Sequence, residues 1–177
     1  KAIEVNPHSS YLCARRGRIL GKMGKIEEAV ECYKEASEIE KRKIDKSDAK
    51  EVDWLNYFEE LLIVGNYMGA TDIKSKIKNK ITRPDYLHIC DFLSACSSFL
   101  QDKKADGIKQ IFQIVENLEK NPLEKATTWE FEDMNLFLRS NLHKDIYESC
   151  IAVEKVLLKE ISASECKAKI QRMKSKA

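Results

Sequence analysis

A chain of 177 residues, 34% of them charged and 43% hydrophobic, has the make-up of an ordinary soluble fold and is long enough for one core or one short repeat array. Its 31 basic and 29 acidic residues leave a formal net charge of +2, which argues against a dedicated nucleic-acid surface, where a basic excess gathers on one face. No apolar run approaches the roughly 20 residues of a membrane helix, and the N-terminus lacks the apolar stretch and small-residue cleavage site of a signal peptide.

Only 3 prolines and 6 glycines interrupt the chain, so helix is the default reading nearly everywhere. The chain opens at Lys1, without Met, in helical sequence, which reads as a piece of a longer protein. Residues 1–9 are expected to form the tail of a preceding helix, with Pro7 near its end. The next helices are expected over Ser10–Met23 and Lys25–Arg42, with Gly24 between them, because a helix C-terminus often needs a left-handed residue that glycine supplies without strain. Gly17 and Ala29 are small enough to let two antiparallel helices approach closely. Leu20, Ile26, Tyr33 and Ala36 are assigned to the seam with the following hairpin.

That hairpin is legible as a repeat. Ala2 stands 34 residues before Ala36, and a second set of matches runs at an offset of 41: Cys13 to Trp54, Gly17 to Phe58, Leu20 to Leu61, Gly24 to Gly65, and Ala29 to Ala70. The difference between the two offsets fits a seven-residue insertion in the polar run Ile44–Lys50. A fixed period of two helical patterns joined at glycine marks an array of helical hairpins.

Beyond Pro84 the match decays. Helices are expected over Asp85–Leu100 and Ala105–Lys120, with Asn121-Pro122 as a terminator. Thr127 or Thr128 would cap a helix reaching Asn141, with Glu130 and Glu132 in its first turn, where the helix dipole favours them. Asp145–Lys159 is a further helix, and Ser162 with Glu165 forms a capping box that opens a last, polar helix to Lys174. Two readings of this part stand: degenerate repeats, or a separate helical cap that closes the array with a polar face.

The pattern resembles the tetratricopeptide repeat family. The resemblance rests on Gly17, Leu20, Gly24, Ala29, Tyr33 and Ala36 in residues 10–43, and on Trp54, Leu61, Gly65, Tyr67 and Ala70 in residues 51–84. It implies an all-α, right-handed α-solenoid of antiparallel helix hairpins with atypical C-terminal helices. A single domain would then comprise the tail at 1–9, repeats at 10–43 and 51–84, a degenerate repeat at 85–122 and a C-terminal cap at 123–177. In that family the first helices of successive hairpins line a concave groove for peptides or partner helices. Carried onto this chain, the groove would present Tyr11, Arg15, Arg18 and Lys22, then Asn56 and Glu59 beside Val52 and Ile63, then Phe92 beside Ile89, Cys96 and Phe99. The bland alternatives remain open: a solvated basic face for the first set, and core for Phe92 and Phe99. The carboxylate clamp known from chaperone adaptors is not reproduced, since only Asn56 suits it. The implied function is a non-catalytic interaction or scaffolding module, with a peptide-sensing regulatory domain and an RNA-binding helical repeat as alternatives.

Other chemistry is sparse. Cys13, Cys32, Cys90, Cys96, Cys150 and Cys166 fit no disulfide framework and read as buried, reduced thiols of a cytoplasmic protein. His88, Cys90 and Cys96 would give three zinc ligands, but His88 and Cys90 lie on opposite sides of a helix. No nucleophile elbow, phosphate loop or zinc-protease motif occurs, so neither enzyme activity nor a cofactor is expected. Acid pairs such as Glu59-Glu60 read as helix surface. The lysine runs at 74–83 and 167–176 alternate in a way that spreads charge around a helix, as on a solvated face.

Overall fold

The computed structural model describes residues 9–77 and 79–174, with side chains described through residue 171. The tail expected over residues 1–9 therefore falls almost wholly outside them. The described residues form helices and no strand: α1 (Ser10–Lys22), α2 (Ile26–Asp45), α3 (Glu51–Ile63), α4 (Tyr67–Ile77), α5 (Pro84–Leu100), α6 (Lys104–Lys120), α7 (Glu132–Asn141), α8 (Lys144–Leu157) and α9 (Ala163–Lys174). The all-α class is thus observed, with helices stacked in chain order as in an α-solenoid: α1 packs on α2, α2 on α3, and α3 on α4.

The turns explain why these helices begin and end where they do. Ser9 caps α1 by accepting a hydrogen bond from the Leu12 amide at 3.4 Å. At the other end Gly24 adopts φ +77°, the Gly24 amide donates to the Gly21 carbonyl, and the Lys25 amide donates to the Leu20 carbonyl. This is a Schellman turn, and Gly65 repeats it at φ +74° with Leu62 and Leu61 as acceptors. The same bonding recurs without glycine at Ser47, Asp102 and Lys159, each with φ near +60°.

The chain divides into two units. Residues 1–81 and 132–137 make the first, and residues 82–131 and 138–177 the second. In the first, Phe58, Leu55, Leu62, Ile77 and Met134 are fully buried. Gly17 sets the closest approach of α1 to α2: a Cβ there would lie 2.9 Å from the Tyr33 ring and 3.1 Å from the Ala29 carbonyl oxygen. A polar knot ties α2 to α3, where Lys43 Nζ donates to Glu40 at 3.0 Å and to Asp53 at 2.8 Å. The Ser10 hydroxyl also donates to Glu40, whose side chain is wholly buried.

In the second unit α5 pairs with α6, and Gly107 lies under the Phe99 ring, within 2.5 Å of where its Cβ would stand. Helices α8 and α9 pack on α6, and α8 also meets α5. Lys167 on α9 pairs with Glu119 on α6 at 3.1 Å. The capping box at Ser162 and Glu165 forms, with reciprocal bonds of 2.8 and 3.2 Å.

Several expectations need correction. Ile26 does not fill a seam but stands 53% exposed at the tip of the first hairpin. No helix begins at Thr127 or Thr128. Thr127 instead accepts from the Trp129 amide and bonds Asp85, holding an irregular segment until α7 starts at Glu132, so Glu130 lies outside the first turn. The pair Glu59-Glu60 is buried rather than on the surface.

The Gly17 contact generates a prediction. Helix propensity alone would favour Gly17→Ala by about 1 kcal/mol. The Ala29 carbonyl is backbone and cannot turn aside, so overpacking of about 1–3 kcal/mol should win. The variant is expected to melt below the wild type in a thermal scan.

Candidate functional site

Helix α1 presents Tyr11, Arg15, Arg18 and Lys22 along one stripe, each three or four residues from the next. The upper half of the stripe is open. Tyr11 is 56% exposed, and its hydroxyl accepts from Arg15 at 3.1 Å while the guanidinium lies 6.0 Å from the ring centroid.

The lower half is a carboxylate receptor. Arg18 Nε and Nη2 donate to the two oxygens of Asp133 at 2.6 and 3.0 Å, a bidentate fork. The Tyr33 hydroxyl donates to the same carboxylate at 2.8 Å. Beside it Glu132 takes Arg18 Nη1 at 3.3 Å and Lys22 Nζ at 2.6 Å. Asp133 is only 8% exposed. All these groups belong to the first unit, and Asp133 lies 115 residues from Arg18 in sequence.

Local structure explains the precision. Because Gly17 has no side chain, the Tyr33 ring lies flat on the α1 backbone and its hydroxyl is delivered to the height of Arg18. Asp133 and Glu132 occupy the first turn of α7, where acids are favoured by the helix dipole. The hydrogen bond from Lys22 holds the Glu132 carboxyl below its ordinary pKa, and burial with the facing Asp133 pushes the Tyr33 phenol far above its own. Glu132 therefore keeps its charge, and Tyr33 its proton, more readily than either would in water.

The other expected groove residues do not join this stripe. Asn56 is half-buried on α3. Glu59 is buried and lies near enough to Tyr33 to raise its pKa further. Phe92 is fully buried, with the Phe131 ring edge-on at 5.5 Å, and Ile89, Cys96 and Phe99 are buried with it. Glu59 and Phe92 offer no surface to a partner; intervening segments of the same chain cover positions that the repeat pattern alone would leave open. Conversely, sequence reasoning missed Tyr33 and Asp133 as a pair. Tyr33 was legible only as a seam residue, and nothing in the spacing connects it to an acid 100 positions away.

The basic runs are dispersed. Lys76 pairs with Asp72 at 2.7 Å, Lys80 lies 6.0 Å from the Trp54 ring centroid, and Arg83 stacks on Tyr86 while bonding Asp85. Lys78 lies outside the described residues. All six cysteines are buried and none is in a disulfide. Among the described residues no cluster of three metal-ligating side chains occurs, and no helix is long and apolar enough to cross a membrane.

A stack of short helical hairpins with a cationic stripe on a first helix defines a helical-repeat protein. Residues 10–43, which span α1 and all but the last two residues of α2, match the family described as tetratricopeptide repeat. Repeats of that family mediate protein–protein interactions and are typically non-catalytic. Comparison with curated proteins and with solved structures returned no match.

Behind the receptor sits a second feature with a measurable consequence. Glu60 is 5% exposed, and burial followed by the Glu40 and Glu59 charges raises its pKa well above the ordinary 4.5. Burial raises Glu40 as well, despite its bonds from Ser10 and Lys43. The folded protein thus holds a proton that the unfolded chain releases above about pH 4.5, so this contribution to stability is present at low pH and fades as pH rises through the raised value. Glu60→Gln is expected to melt above the wild type at pH 7.5, with the gap narrowing toward pH 5, in parallel thermal scans.

Proposed function

We propose that the chain is a non-catalytic interaction module that binds a peptide or partner helix along the α1 stripe of its tetratricopeptide hairpin. The observation that carries this reading is the stripe itself. Its lower half grips a carboxylate in a bidentate fork, and its upper half, Tyr11 and Arg15, stands open to solvent in line with it. A partner with acidic character suits both halves, because arginine pairs with planar carboxylates in a defined geometry. Asn56 on α3 is a further polar contact on the expected groove side. On this reading the chain serves as a scaffold in the cytoplasm, a compartment in which six buried cysteines outside any disulfide are at home.

A second reading, a peptide-sensing regulatory domain, is favoured by one observation: the receptor already holds an acid pair from its own chain. An RNA-binding repeat finds less support, since Lys76, Arg83 and Lys167 are each paired with an acid.

The test is partner capture by the wild type beside a Tyr11→Ala, Arg15→Ala, Asn56→Ala variant of equal melting temperature. A bound partner should be released at least tenfold more readily by the variant. Equal retention by both proteins would move the binding surface off α1.

A further inference from the structure

We infer that residues 132–137 act as a built-in stand-in for the partner, and that the receptor on α1 and α2 fits a helix beginning with a Glu-Asp pair followed by a leucine three residues after the Asp. This rests on the interaction-module reading and deepens it by naming the chemistry of the partner.

Four observations converge. Asp133 is held by three donors from two helices, which is more than a surface ion pair makes: two from Arg18 and one from Tyr33. The Tyr33 donor is positioned by packing, since its ring lies against Gly17 and is buried. Leu136, one turn further along α7, also reaches α1: its Cδ1 lies 3.8 Å from where a Cβ of Gly21 would stand, an ordinary contact distance. Finally, the six residues 132–137 belong to the first unit while the residues on both sides of them belong to the second. A short segment with the charge opposite to its receptor is thus seated there by its own side chains.

The pattern read from the seated segment is Glu132-Asp133-Met134-Asn135-Leu136. Its recognition differs from capture of a chain terminus, because both acids are side chains at a helix start and the fork grips the second of them. Glu132 adds the half-exposed contact to Lys22, and Met134 is fully buried. Tethering gives the internal segment an effective concentration on the order of millimolar. A competing partner must therefore bind more tightly than the same five residues would alone, and Tyr11 and Arg15, open at the end of the stripe, are available to supply that margin.

The two sides of the fork make opposite predictions, which separates recognition from a merely structural bond. The probe is a fluorescein-labelled synthetic peptide with the sequence of residues 129–141, and the readout is anisotropy with the full chain. Glu132→Gln with Asp133→Asn should empty the receptor and strengthen peptide binding at least tenfold over the wild type. Arg18→Gln added to that variant should remove the gain, and Tyr33→Phe, which keeps the ring on Gly17, should cut it several-fold. A peptide carrying Asp133→Asn should not bind. If the double change unfolds the chain, Glu132→Gln alone, which weakens the contacts of Glu132 to Lys22 and Arg18 Nη1 but leaves the Asp133 fork, should still raise affinity about threefold. No gain in a folded variant, or a gain that survives Arg18→Gln, would overturn the inference. Capture of a partner through Tyr11, Arg15 and Asn56 could persist in that case, leaving the module reading in place; loss of both would end the two together.

Discussion

The close approach of α1 to α2 at Gly17 is the constraint on which the first unit depends. A glycine in mid-helix costs about 1 kcal/mol in propensity, and here the cost is offset by bringing an aromatic ring directly onto a helix backbone. The ring contributes apolar burial, and its hydroxyl becomes a fixed donor at the rim of the seam. Arg18, one residue on from Gly17, then shares a target with that hydroxyl. The packing of α1 on α2 and the shared grip on Asp133 thus both follow from one missing Cβ.

Behind that donor pair the unit carries an unusual load of buried acid. Glu40, Glu59, Glu60, Asp53 and Asp133 are all largely removed from water. Lys43 serves two of them, and despite the opposing effect of burial its hydrogen bond and the Lys50 amide keep the Asp53 carboxyl below its ordinary pKa. At Glu60, burial and the Glu40 and Glu59 charges outweigh the opposing charge of Lys43, and its pKa is raised. A buried carboxylate is costly unless paired, and a raised pKa is the cheaper outcome. Of these contacts, the one from Lys43 to Asp53 joins α2 to α3, while Glu40 lies on the same helix as Lys43.

The second unit uses different means. Its seam is set by Gly107 under Phe99, and its irregular stretch before α7 is stitched by Thr127 to Asp85 and by the Thr127 amide to the Leu157 carbonyl. Here the sequence was a poorer guide. Thr127 and Thr128 have the chemistry of helix caps, yet Thr127 spends its hydroxyl on Trp129 and Asp85, and the helix waits until Glu132. Local capping preference is worth about 1 kcal/mol, which tertiary bonds readily outweigh.

What the residues determined by themselves was periodic and local. The helices, the glycine turns at Gly24 and Gly65, the small contacts at Gly17 and Ala29, the capping box at Ser162 and the burial of Trp54 and Leu61 follow from spacing and backbone geometry. Three left-handed helix ends, at Ser47, Asp102 and Lys159, escaped because they lack glycine and carry no local mark. The tertiary structure alone decided which positions of the repeated pattern remain open. Glu59 and Phe92 occupy the same kind of place as Tyr11 and Arg15 in the repeat, but both are buried, Phe92 with the Phe131 ring against it. It also decided what Arg18 and Tyr33 hold. Helical periods say which face a residue is on; they carry no information about a carboxylate that arrives from 100 or more residues away.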